Sequence, residues 1–160
     1  MELFVTVISG VLVFVLGQIL LYWVIDPVQE FRKLRGEIVF LLANHHAAIH
    51  GAQIIDQKEA VKVLDSLHVL GAKLHSAMEL IPCYSYTKRI FRLPPAEKLR
   101  FAAGRLRLMG NSMFGKNPDT AYRLDLYRIE ICEALDVHDP IEDGMKKVDL
   151  IQAIQDLRQR

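Results

Sequence analysis

The chain has 160 residues, 51% of them hydrophobic, and a net charge of +1. Its length allows one domain, and near-neutrality excludes a partner drawn in by bulk electrostatics. The two cysteines, Cys83 and Cys132, match no metal or redox spacing and read as reduced thiols packed in or near the core of a cytoplasmic domain.

Leu3 to Ile25 reads LFVTVISGVLVFVLGQILLYWVI, without a charge. At ~1.5 Å per residue it reaches about 34 Å, enough for a hydrocarbon core of roughly 30 Å. A cleaved signal peptide would show a basic start and a small-residue cleavage site. Here Met1-Glu2 precedes the run and bulky Tyr22-Trp23 closes it, where an aromatic belt belongs. Residues 1–26 are therefore read as a transmembrane anchor, with the lipid bilayer as first partner. Arg32, Lys33 and Arg35 follow the span and no basic residue precedes it. The positive-inside rule then places the N-terminus outside and the C-terminal domain in the cytoplasm.

Within the span, Thr6, Gly10 and Gly17 fall near one face, and small residues let helix backbones approach closely in lipid. Gln18 is an amide at membrane depth and needs a partner or water. One reading turns this face toward neighbouring copies of the same helix, a homo-oligomer in which Gln18 side chains seal or line a pore. The other is a lone Gln near the interface.

No strand-like alternation is sustained beyond the span; helical periodicity recurs between Pro and Gly. The expectation is all-α: a transmembrane helix continuing into a stalk helix over 27–51, a cytoplasmic helical bundle over 52–139 and a terminal helix over 140–160. Asp26 caps the stalk, Pro27 kinks it, and Val28, Phe31, Leu34, Ile38, Leu41 and Leu42 form its apolar face. Asp56 with Glu59 opens a helix to about Ile81, lined by Ala60, Val63, Leu64, Leu67, Leu70, Gly71, Leu74, Ala77 and Met78. A link from Cys83 to Arg92 follows. The next helix runs from about Pro95 to Phe114, with Leu99, Ala102, Leu106, Met109 and Met113 inward. Past breaks at Gly115 and Pro118, Asp119 to about Val137 is led by Leu124, Tyr127, Ile131 and Leu135. After Pro140, Val148, Ile151, Ile154 and Leu157 face inward.

The order of Gly17-Gln18, Asp26-Pro27-Val28-Gln29-Glu30-Phe31-Arg32-Lys33, Gly36-Glu37-Ile38, Ile81-Pro82-Cys83-Tyr84, Leu93-Pro94 and Asn111-Ser112 resembles a widespread set of short bacterial single-span membrane proteins of unknown function. The resemblance covers most of the chain up to about Leu135. It departs from the set at Leu108-Met109-Gly110-Asn111, where a glycine usually precedes a Leu-Ser-Asn run. It implies an inner-membrane anchor and a helical domain, and no activity. In layout alone the chain is similar to a CRISPR accessory membrane-pore protein found beside RNA-targeting nucleases, which implies a role in antiviral defence.

The search for chemistry starts at Asn44-His45-His46-Ala47-Ala48-Ile49-His50. His46 and His50 are one helical turn apart and offer two metal ligands. A zinc site needs a third, and no nearby Cys, Asp or Glu has the spacing, Asp56 being the only conceivable one. A solvated or helix-capping role is the simpler reading, and no tightly bound zinc or other cofactor is expected. His68 and His75 stand about 10.5 Å apart along their helix, too far to share an ion. No arginine precedes a histidine at the four-to-six-residue spacing of HEPN-type nucleases, and there is no glycine-rich phosphate loop. No catalytic residue is assigned.

Charge is patterned more sharply. Lys88 to Arg107 holds seven basic residues and one acid, and Asp119 to Asp143 eight acids and two arginines. On the Pro95 helix, Lys98 with Arg105 and Arg100 with Arg107 flank the core face, while Phe101 and Leu108 lie opposite. A second apolar strip framed by basic residues reads as a contact surface, its partner a neighbouring protomer's acidic segment or anionic lipid; nucleic acid is the weakest fit. The expectation is a self-associating, membrane-anchored, non-enzymatic helical protein, a pore-forming or membrane-perturbing effector. The alternative is a non-pore adaptor holding a cytoplasmic protein partner at the bilayer, and a degenerate nuclease-like or metal-dependent enzyme comes third.

Overall fold

The computed structural model describes residues 2–50, 57–115, 117, 119–139, 141 and 147–158, and among them every regular element is a helix. Helix α1 (Glu2–Leu20) passes through a π-helical turn (Leu21–Ile25) into α2 (Asp26–Asn44). The N-terminal helix continues into the stalk helix, as the sequence implies. Pro27 offers no N–H, and its ring collides with the carbonyl four residues back. A wider π turn absorbs the conflict one turn earlier: the Asp26 N–H donates to Leu21 O, five residues back. Asp26 keeps helical dihedrals and its side chain caps nothing. Phe4 to Asn44 is thus one helix of 41 residues, about 60 Å long.

The helix breaks at His45 (φ −107°, ψ 19°), and α3 (His46–His50) follows as a separate short turn. The stalk therefore ends before the histidines rather than running through them. Helix α4 covers Gln57–Leu80, α6 Ala96–Ser112, α7 Thr120–Leu135 and α8 Lys147–Arg158. Between α4 and α6 the expected link is a helix, α5 (Tyr84–Phe91), entered and left through left-handed Cys83 (φ 47°) and Arg92 (φ 52°). Thr87 Oγ1 donates to Pro82 O at 2.8 Å and Tyr84 Oη to Pro94 O at 2.6 Å, which pins both ends. These tertiary bonds carry no periodic signal. Cys83 is exposed rather than packed, whereas Cys132 is buried and burial pushes its thiol up to about 12.

Helices α2, α4, α6 and α7 pack around one core, each antiparallel to the one before. Glu79 reaches Arg100, and Gly71 faces Ala103 and Leu106. Farther along, Gly110 meets Leu64 and His68, and Arg105 meets Glu130. A Cβ on Gly71 would lie 3.1 Å from Ala103 O, and one on Gly110 2.9 Å from Leu64 Cδ1. The α4–α6 seam is close because these two positions lack side chains. The expected faces hold: Phe31, Ile38, Leu42, Leu67, Leu74, Leu99, Leu106, Leu124 and Ile131 are fully buried. Leu64 is only half-buried. On α8, Ile154 is buried, but Val148 (71% exposed) and Ile151 are not, because the helix meets the bundle mainly along α7. Asp56, Pro118 and Pro140 lie outside the described residues, as does the Leu157 side chain.

Candidate functional site

Three histidines end the long helix, and the break at His45 decides where they point. Because α3 is a turn of its own, it packs against both α4 and α7. Buried Ala48 and Ile49 anchor it and leave His46 and His50 half-buried on its other face. Their rings meet edge-on, centroids 4.4 Å apart at 77°.

Helix α7 brings up the third group. His50 Nε2 lies 3.3 Å from Asp125 Oδ1. One donor atom from each of His46, His50 and Asp125 falls within 4.8 Å of the others. The same Asp125 oxygen is 3.3 Å from Arg128 NH2. Arg128 is 1% exposed, the most deeply buried charged group among the described residues. Its guanidinium is also held by the Asp139 carboxylate and by Ile141 O at 3.3 Å. A buried cation needs such compensation, because removal from water costs several kcal/mol unless charge and hydrogen bonds replace hydration.

The cluster tunes its own protonation. Burial, the charge of His50 and that of Arg128 hold His46 below its ordinary value, so its imidazole is neutral near pH 7. Burial alone would raise the Asp125 carboxyl; the hydrogen bond and charge of His50, with Arg128, outweigh it and hold the group below the usual carboxylate range. Asp125 is thus an anionic oxygen between His50 and the fixed cation of Arg128.

The sequence-predicted contact surface is only partly assembled as expected. Lys98, Arg100, Phe101, Arg107 and Leu108 are exposed along α6. Arg105 is not offered to a partner: its Nε sits 2.7 Å from Glu130 Oε2, and its guanidinium stacks on Phe101 (4.7 Å) and Tyr127 (5.2 Å). The acid that meets Arg105, Glu130, comes from the chain's own α7, which is adjacent to α6 in the bundle. Arg100 makes an exposed 3.7 Å pair with Glu79, worth little in water. In the span, Gly10 and Gly17 have open space about them, and no partner for Gln18 occurs among the described residues.

Asp125, Arg128 and Asp139 were missed from sequence. One signal was present: Arg128 falls on the apolar period Leu124, Ile131, Leu135, where an arginine has to find anions inside the fold. The partnership of Asp125 with the histidines had none, since 75 residues separate His50 from it. No family model, no curated protein and no solved structure matches the chain.

Proposed function

We propose that this chain is a membrane-anchored helical protein that self-associates at the bilayer through its N-terminal helix. One contrast carries the reading. From Phe4 to Trp23 the helix is apolar on every side and uncovered, and the first core residue is Val28. A helix apolar all round belongs in lipid or among other helices.

The seating of the bundle supports the anchor. The Pro82–Cys83 corner lines one open groove with Leu16, Ile19, Leu20, Trp23 and Val24. Tyr86, one turn on, is 77% exposed, and Lys88 and Arg89 come next. Arg32 and Arg35 gather beside Arg92 at the same end. Apolar, aromatic and basic groups succeed one another in the order of hydrocarbon, interface and phosphate. This order favours a bundle resting directly on the bilayer, on the cytoplasmic side by the charge rule.

Self-association rests on Gly10 and Gly17, whose bare backbone lets a second helix approach, and on Gln18, whose amide lacks a partner among the described residues. Repeated around a ring, the Gln18 amides would line a pore. A second reading, the non-pore adaptor, is favoured by the exposed Phe101–Leu108 strip with Lys98, Arg100 and Arg107 at its margins, a surface suited to an acidic protein. Cross-linking and native mass spectrometry in mild detergent separate the two. Wild-type protein is expected to be oligomeric, Gly17→Leu to dissociate it more than Gln18→Leu, and Arg100→Glu with Arg107→Glu to leave the oligomer intact. In planar bilayers Gln18→Leu should lower conductance by making the ring apolar. A wild-type monomer that passes no ions would sink self-association and leave the adaptor.

A further inference from the structure

We propose that His46, His50 and Asp125 form a binding site for one divalent transition-metal ion of zinc type, coordinated by two imidazoles, one carboxylate and water. The inference is independent of how the chain meets the membrane. The cluster lies at the far end of α2, which carries the chain about 28 Å from Asp26.

The donor set is the first argument. Two histidines one turn apart with a carboxylate from another element suit zinc and its neighbours, and three protein ligands leave a position for water. Geometry is the second. Zinc at about 2.0–2.2 Å from each ligand sets donors roughly 3.3 Å apart. His50 Nε2 and Asp125 Oδ1 already stand at 3.3 Å, and the whole donor set is within 4.8 Å.

Arg128 is the group that opposes a cation here, and the structure limits its effect. Asp139 and Ile141 O hold the guanidinium independently of Asp125. Asp125 is therefore free to take a metal as its principal partner, with Arg128 an outer neighbour that orients the carboxylate. The expectation from sequence, that no third ligand stands near His46 and His50, fails because the bundle folds α7 over α3.

The test uses the full chain in mild detergent, stripped with chelator and titrated with Zn²⁺ alone by calorimetry. One ion per chain is expected, together with a zinc-dependent rise in melting temperature. His46→Gln with His50→Gln, and separately Asp125→Asn, should each weaken binding by at least roughly 10-fold, the effect of losing even an outer-shell partner. His75→Gln, an exposed histidine elsewhere on α4, should change nothing. Asp125→Asn also disturbs Arg128, so a second readout avoids variants. Co²⁺ added to the wild type should give the visible bands of a low-coordinate nitrogen and oxygen site. Failure of the wild type to bind either ion overturns the site. So does zinc binding that survives Asp125→Asn in a folded protein, or that His75→Gln weakens equally.

Discussion

The two halves of the Phe4–Asn44 helix share one backbone and differ in how their apolar side chains are covered. In α1 no described side chain is buried; in α2 a stripe of Val28, Phe31, Leu34, Ile38, Leu41 and Leu42 is covered, and the opposite side is charged. Apolar content does not separate a core face from a membrane face. Its distribution around the helix does, because only a one-sided stripe has a polar back for water. Polar groups repeat the contrast. Among the described residues Gln18 has no partner, while Arg128, deeper within its own apolar surroundings, has two carboxylates. A bundle satisfies its polar groups internally; a lone span leaves them to its neighbours.

The strongest way to break this comparison is to truncate the same side chain in each half. Phe31→Ala empties a fully buried site and should lower bundle stability by about 3–5 kcal/mol. Phe14→Ala, exposed in the span, should leave it unchanged. Urea unfolding in mild detergent measures both, and similar losses would mean that α1 also belongs to the folded core.

Next in size is the polar contrast. Arg128→Leu leaves Asp125 and Asp139 without their shared cation. Those carboxylates are about a quarter exposed, so the loss should fall near 2–3 kcal/mol, below that for a fully buried pair. Gln18→Leu should not move the same unfolding curve. A neutral Arg128→Leu would show that the network is not holding α7 in place.

The smallest effect is on pH dependence. His46 and Asp125 both have lowered native values, so the unfolded chain takes up protons first as pH falls. Each group's stabilisation is complete above its ordinary value and is lost as pH drops through the native one. For His46 the loss begins below about 6.5 and for Asp125 below about 3.8. Melting temperature followed from pH 8 to 5, in the presence of chelator, should decline at the acid end in the wild type and less in His46→Gln. Parallel curves would remove His46 from the account.

The sequence by itself determined the helices and their faces. The uncharged Leu3–Ile25 run, the stripe from Val28 to Leu42 and the core-facing positions of α4, α6 and α7 are periodic patterns, and periodicity is a local property of the chain. Only tertiary structure decided what the faces meet. Pro27 looked like a kink until the π turn before it took the strain. Cys83 to Arg92 looked like a link because two left-handed residues and bonds to Pro82 and Pro94 define α5. Arg105 looked available to a partner until Glu130 and Tyr127 came alongside. Asp125 joined His46 and His50 because an antiparallel bundle brings α7 back across α3, and a contact between residues so far apart in the chain exists only once the core has closed.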